Sequence, residues 1–507
     1  MELGKMVELL FHAPAQETWA RTDLKVSFSN EEKTVTVKGF YDGGNVYRAR
    51  FLPEDKGHWE WRTEGIVEET GSFECVDTGL KGRVRAAGTH FEYANGDIYR
   101  PFGTTVYALA HQEDALVGET LESLKHSPFN KVRMCVFPKH YDYNHNEPPV
   151  DPFEKDDKGR WDVDRPCVLF WQRFEHILKK ISDMGMQIDL ILFHPYDRWG
   201  FSRLTMEENR RYLDYLLARL SAWPNIWWSL ANEYDLFPHL KMEDWFEIEE
   251  YVAAGDPFHH LLSNHNCTAL YPFERENVTH CCIQSSWTEH AGEWLREYRK
   301  PVIYDEMRYE GNIPHRWGNL SAFEMVHRFW TVCVSGVYAT HGETFVNDEG
   351  ILWWSRGGQL RGESPARIAF LKGIMDELPG PVEPWEENPF GGVEKMTEEE
   401  LEKQKEESSV GYCFARGIRA MEPLHRSAWI SGETIIRGRC GKDVFLRYMG
   451  RDCASSVEMA LPEDERYRVE VIDIWNMTRT EAMRDASGRI RVELPGKEGM
   501  AVLAVKA

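Results

Sequence analysis

The chain has 507 residues, with 83 acidic and 60 basic side chains and a formal charge of −23. Such a field repels phosphate backbones and anionic membranes, which argues against a nucleic-acid or membrane-surface partner. A hydrophobic fraction of 42% with 13% aromatics excludes a disordered chain, and the length suggests roughly three folding units at about 150 residues each. The opening MELGKMVELLFHAP carries no small-residue cleavage site, so no secretory signal is read there. No apolar run reaches the roughly 20 residues that span a bilayer. Ten cysteines without a CxxC pair fit free thiols in a reducing compartment, so the predicted location is cytoplasmic. The sequons at Asn266, Asn277, Asn319 and Asn476 would then stay unmodified.

Residues 1–83 read as short antiparallel strands. Leu24, Val26 and Phe28 alternate, as do Val35 and Val37, then Tyr47, Ala49 and Phe51, then Trp59 and Trp61. Asp42-Gly43-Gly44-Asn45 supplies a turn between two of these runs. A small sandwich is expected.

Residues 84–378 change texture. Apolar runs at Val132–Phe137, Ile188–Phe193, Ile226–Leu230, His260–Ser263, Val302–Tyr304 and Val334–Ala339 alternate with helical patterns, and the adjacent Cys281 and Cys282 read as part of a further strand. Phe170, Phe174, Ile177, Ile181 and Met184 share one helix face that ends before Gly185, a suitable C-terminal cap. Thr205 and Glu208 form a capping box for the next helix. Alternation over nearly 300 residues predicts an α/β fold with a parallel sheet, and the length suits a (β/α)8 TIM barrel. A doubly wound sheet is the second choice, but no glycine-rich phosphate loop follows an early strand. Residues 379–408 hold Pro381, Pro384, Pro389 and the charged TEEELEKQKEESS, read as a linker or solvated helix. Alternating strands after 409 predict a second antiparallel sandwich over 409–507.

In a (β/α)8 barrel, active sites lie where the strands end and the loops begin. Polar residues at those ends are His194, Asn232 with Glu233, His265, Gln284, Glu306 and Glu343. Arg133 is a charge inside an apolar strand, where it needs a buried partner. Two strands stand out: IWWSLANE ends in an amide and a carboxyl group, and PVIYDE ends in carboxylates. Two carboxyl groups facing each other across a barrel suit glycoside hydrolysis, where one protonates the leaving oxygen and the other attacks the anomeric carbon. The partner implied is a carbohydrate. Association into a homo-oligomer is compatible with the sequence.

The middle region resembles the clan of retaining (β/α)8 glycoside hydrolases with Asn-Glu ending strand four and Glu ending strand seven. THGETF (340–345), LWWSRGGQL (352–360) and GESPARIAFL (362–371) are similar to its apiosidase-like branch. GFYDGG (39–44) and YRARFLPEDKGHWEW (47–61) resemble the immunoglobulin-like domain fused to such barrels, and VEVIDIWNMT (469–478) resembles their C-terminal sandwich. The resemblance implies Glu233 as acid/base, Glu306 as nucleophile, Asn232 as a partner of the hydroxyl beside the reacting carbon, and Arg133 as the charge that keeps the nucleophile ionised. Asp305 is the rival to Glu306, since on a regular strand the two point to opposite faces. His194, His265, Gln284, Trp287, Trp353 and Glu343 are candidate sugar contacts, with Trp354 the alternative to Trp353. Glu343 could equally buttress its loop. No cofactor is implied, and His259, His260, His265 and His280 lack metal-ligand spacing. A silent carbohydrate-binding protein on the same scaffold, or a metal-dependent barrel hydrolase or isomerase, are the other readings.

Overall fold

The computed structural model describes residues 1–385, 390 and 392–507. The chain divides into two compact units, one of residues 1–285, 298–321 and 339–365, the other of 286–297, 322–338 and 366–507.

In the first unit, two antiparallel sheets form the N-terminal sandwich. One pairs Val7–His12, Val46–Phe51 and Phe40–Tyr41; the other orders Thr34–Lys38, Leu24–Ser29, Gly57–Gly65 and Thr70–Cys75. Leu24, Val26, Phe28, Tyr47, Ala49 and Trp59 are fully buried between them, so the predicted alternation sets the core. The turn at 42–45 uses left-handed Gly43, Gly44 and Asn45, a conformation that glycine reaches without a Cβ clash.

The barrel strands are β1 (Phe102–Thr105), β2 (Lys131–Cys135), β3 (Gln187–Phe193), β4 (Ile226–Ala231), β5 (Leu262–Ser263), β6 (Cys281–Gln284), β7 (Val302–Glu306) and β8 (Tyr338–His341). Their order is β5-β4-β3-β2-β1-β8-β7-β6, and a parallel bridge between His265 and Cys282 joins the two ends. β1 escaped the sequence reading because Gly103 interrupts a four-residue strand. That glycine is required: a Cβ there would lie 2.5 Å from Thr340 Oγ1 on β8. The last strand begins at Tyr338, not Val334. Residues 322–334 are helical, and Gly336 at φ 77° turns the chain after them. The helix Val168–Asp183 carries the predicted face, and Gly185 at φ 76° ends it as expected. The Thr205–Glu208 capping box forms.

The sandwich is fastened to the barrel by a buried charge cluster. Arg50 pairs with Glu175, and Arg219, fully buried, reaches Glu175 at 2.9 Å and Asp42 at 2.8 Å. Removing one member of such a cluster strands a buried charge, so the two parts form one compact unit.

In the second unit, a six-stranded antiparallel sheet (Glu383–Pro384, Arg437–Cys440, Val444–Tyr448, Met500–Lys506, Tyr467–Asp473, Thr478–Ala486) faces the pair Ser456–Ala460 and Arg489–Glu493 across a core that includes Val469, Val492 and Val502. The first strand after the charged stretch is Arg437–Cys440. Residues Glu398–Glu407, Ser409–Ala420 and Pro423–Gly432 are helices, the first opened by a Thr397–Glu400 capping box. Part of the predicted linker, residues 386–389 and 391, lies outside the described residues. Among the described residues, no helix is long and apolar enough to cross a membrane.

Candidate active site

Glu233 follows β4 with φ 55° and ψ 58°, a left-handed conformation that a non-glycine residue adopts at a cost of about 1–3 kcal/mol. The backbone there hydrogen-bonds outward: Glu233 N–H donates to His265 Nδ1 at 3.3 Å. The resulting turn places the Glu233 carboxylate among three donors. Tyr196 O–H and Asn232 Nδ2 (3.2 Å) donate to Oε2, and Gln284 Nε2 (3.2 Å) donates to Oε1.

Glu306 ends β7. Tyr107 O–H donates to its Oε1, Arg133 Nη1 lies 4.0 Å away and His265 Nε2 3.9 Å away. Because His265 Nδ1 accepts the Glu233 N–H, its proton resides on Nε2, directed at Glu306. Burial, then the Arg133 charge, hold this imidazole far below its ordinary pKa, so it stays neutral.

Asn232 joins the two carboxylates. Its Oδ1 accepts from Arg133 Nη1 at 2.9 Å and lies 2.8 Å from the Tyr107 hydroxyl oxygen, while its Nδ2 donates to Glu233. The single Tyr107 hydroxyl proton stands between Asn232 Oδ1 and Glu306 Oε1 and serves one of them at a time. The bonds therefore run Glu233–Asn232–Tyr107–Glu306 with Arg133 behind. Burial, then the Glu233 charge, push the Glu306 carboxyl up to about 7, against the pull of Arg133, Tyr107 and Lys139. Two like charges so placed retain one proton between them near neutrality.

Asp305 has another environment. Its oxygens take Lys131 Nζ at 2.6 Å, Thr340 Oγ1 at 2.7 Å and Cys282 Sγ at 2.8 Å, with no exposure to solvent. Burial opposes its ionisation, but the Lys131 and Arg133 charges outweigh it and hold Asp305 well below the carboxylate range. The expected opposition of Asp305 and Glu306 across the strand does not hold. β6 pairs Ile283 with Tyr304 and Gln284 with Glu306, so Asp305 is an extra residue that breaks the alternation.

Over the pair sit aromatic rings. Tyr107, Tyr309 and Trp354 cluster with Tyr141, Tyr143 and Trp317. Lys139 is buried, its ammonium 3.7 Å from the Tyr107 ring centre, 4.4 Å from Tyr196 and 5.2 Å from Trp354. Burial lowers its pKa. Sequence reasoning missed Tyr107, Tyr196 and Lys139. Tyr107 lies just past β1, the strand that was not recognised, and Tyr196 and Lys139 lie three and four residues beyond the ends of β3 and β2, in the loops rather than at the strand ends.

Other candidates fall elsewhere. His194 is 3% exposed, donates from Nε2 to Phe137 O at 3.1 Å and is lowered to about 4 by burial, as a structural imidazole would be. Of the two tryptophans, Trp354 joins the ring cluster, whereas Trp353 is buried with Nε1 bonded to Thr104 Oγ1 at 2.8 Å. Successive residues on the helical turn Trp353–Arg356 cannot share a face. Trp287 is 68% exposed and packs on His290. Glu343 is 1% exposed, and its Oε2 accepts Arg361 N–H at 2.7 Å. The reading as a loop buttress is the one its contacts match.

Comparison with known proteins follows the same lines. The family model "Apiosidase-like, catalytic domain" matches residues 86–389, with two domains of unknown function matching 5–65 (DUF5060) and 433–504 (DUF5605). No curated protein sequence matches the chain. A crystal structure of a candidate glycoside hydrolase from Bacteroides vulgatus is 32% identical, covers 100% of this chain and 99% of its own, and superposes with a TM-score of 0.85. A family 5 glycoside hydrolase from the same species is 15% identical over 84% of this chain and 94% of its own, with a TM-score of 0.60. The barrel with its flanking sandwiches and these matches make the protein a glycoside hydrolase of the (β/α)8 class. Within that class, the chain belongs to the apiosidase-like family, whose catalytic-domain model spans more than half of it.

Proposed function

We propose that this glycoside hydrolase cleaves O-glycosyl bonds with retention of configuration, Glu306 acting as nucleophile and Glu233 as acid/base. The observation that carries the reading is the Glu233–Asn232–Tyr107–Glu306 chain of hydrogen bonds. It ties both carboxylates to one group, which supports a pair that flanks a single glycosidic bond. Tyr107, Arg133 and the His265 N–H all present positive ends to Glu306, which favours its ionised form as the nucleophile. The first step then requires the proton of the pair on Glu233 and Glu306 ionised. In the first step Glu306 bonds the anomeric carbon as the glycosidic C–O bond breaks, and the Glu233 proton goes to the leaving oxygen. In the second step Glu233 takes a proton from water, the water oxygen bonds the anomeric carbon, and Glu306 leaves as carboxylate.

Asn232, between the two carboxylates, is placed to bond the hydroxyl next to the reacting carbon. The rings of Tyr141, Tyr143, Trp317 and Trp354 offer apolar faces to one sugar ring. This crowded wall supports exo-action on short oligosaccharides or small plant glycosides rather than passage of a long polymer. The ten free cysteines support a reducing, cytoplasmic setting. A panel of aryl glycosides and plant oligosaccharides, followed by proton NMR of the first-formed sugar, tests the reading. The released sugar is expected in the anomeric configuration of the substrate. Initial release of the opposite anomer would refute retention, and no release from any member would favour a silent binding protein.

A further inference from the structure

A second cluster of ionisable groups lies at the ends of β7 and β8, outside the carboxylate pair. Glu310, His341 and Glu343 are buried to 2%, 0% and 1% exposure, and one ligand atom from each lies within 4.8 Å of the others. The two glutamates belong to a short parallel pairing, Glu310 with Glu343 and Gly311 with Thr344, that brings their side chains together. Each carboxylate is anchored by loop groups. Glu310 accepts from Glu363 N–H at 2.9 Å, from Ser364 N–H at 3.2 Å and from Ser364 O–H; Glu343 Oε2 accepts from Arg361 N–H at 2.7 Å. Gly362 passes so close that a Cβ there would stand 2.4 Å from a Glu310 oxygen.

These bonds leave two atoms over. His341 Nε2 and Glu343 Oε1, both sealed from solvent, face each other at 3.6 Å without a hydrogen-bond partner among the described residues. Among those residues no lysine or arginine side chain pairs with Glu310 or Glu343; the Arg361 guanidinium is engaged with Glu349 at 3.3 Å. The Arg361 charge acts on Glu343 only from a distance, and two buried carboxylates without a directly paired cation are costly.

We propose that Glu310, His341 and Glu343 form a structural site for a divalent metal ion of the zinc type. The imidazole and two carboxylates are the donor set such an ion takes, and bonds of about 2.0–2.1 Å would set neighbouring ligand atoms roughly 3.4 Å apart, close to the 3.6 Å between His341 and Glu343. A dication balances the two carboxylate charges. His341 Nδ1 meets Thr104 Oγ1 at 3.3 Å, the outer-sphere hydrogen bond that orients a metal-bound imidazole. The ion would lock the ends of β7 and β8 to the turn at 361–364. Only the His-x-Glu spacing of 341 and 343 is visible in sequence, and Glu310 arrives through the fold.

The test uses the full chain, stripped with a chelator and titrated with Zn2+. One equivalent is expected to bind per chain, with a rise of a few degrees in melting temperature. Glu343→Gln preserves the shape and an acceptor for Arg361 N–H but is expected to lose both the binding and the rise. His341→Gln provides the same comparison if the first variant does not fold. A wild type that neither binds nor gains stability would overturn the site, as would an equal response in the variants. A Glu343→Gln protein as stable as the stripped wild type, with both indifferent to Zn2+, would show that Glu343 holds a proton there instead. Catalytic activity is not the readout, so the outcome stands apart from the roles of Glu233 and Glu306.

Discussion

Glu306→Ala is expected to lose turnover by several orders of magnitude on every substrate, including those with good leaving groups. The substitution removes the atom that bonds the anomeric carbon, and no neighbour can replace it. Asp305, adjacent in sequence, is fixed by Lys131, Thr340 and Cys282 within the barrel. Any rescue by added azide should give the glycosyl azide of inverted configuration, because azide then attacks the substrate directly. The measurement is kcat on a dinitrophenyl glycoside with and without azide. Near-normal turnover on that substrate would remove Glu306 from the chemistry.

Glu233→Ala should behave differently. General acid catalysis contributes about 10²–10⁴-fold, so the loss should approach that range with poor leaving groups and shrink with dinitrophenolate, which departs without a proton. Azide should restore turnover and give a product of retained configuration, since Glu306 still forms the covalent intermediate. The pH profile supplies an independent sign. In the wild type the pair carries one proton below about pH 7 and loses it above, because burial and the Glu233 charge push Glu306 up to about 7. Activity should therefore fall as pH rises through about 7. Removing Glu233 removes both the second cause of that shift and the group that delivers the proton, so the alkaline fall should vanish. A variant that keeps the same alkaline limb would contradict the coupling.

Much of this arrangement was legible before the fold was known. β3 and β4 announced themselves as largely apolar runs, interrupted by Asp189 and Ser229, because a strand covered on both faces buries every residue. Asn232, Glu233 and Glu306 were selected by the simple expectation that chemistry sits where such runs end, and the fold brings the three together. Four things were not legible. β1 carries Gly103 for a close approach to Thr340, a requirement written in a partner strand rather than in its own pattern. The extra residue at Asp305 depends on the register with β6, which no local alternation records. The phenols that hold the carboxylates, Tyr107 and Tyr196, belong to a chain with 20 tyrosines, where residue type alone discriminates little. The helices at 409–432 also escaped: Ala415 and Ile418 bury with Val393 and Leu401 in a small core, but the exposed Val410, Phe414 and Leu424 blur the helical stripe.

The most direct measurement of the central claim is trapping of the covalent intermediate. A 2-deoxy-2-fluoro glycoside with a dinitrophenolate leaving group, matched to a substrate found in the panel, slows the second displacement more than the enzyme's first. Intact-protein mass spectrometry should then show one added glycosyl group, and peptide mapping should place it on Glu306. A label on Asp305 or Glu233, or release of dinitrophenolate with no adduct at any time, would contradict the account.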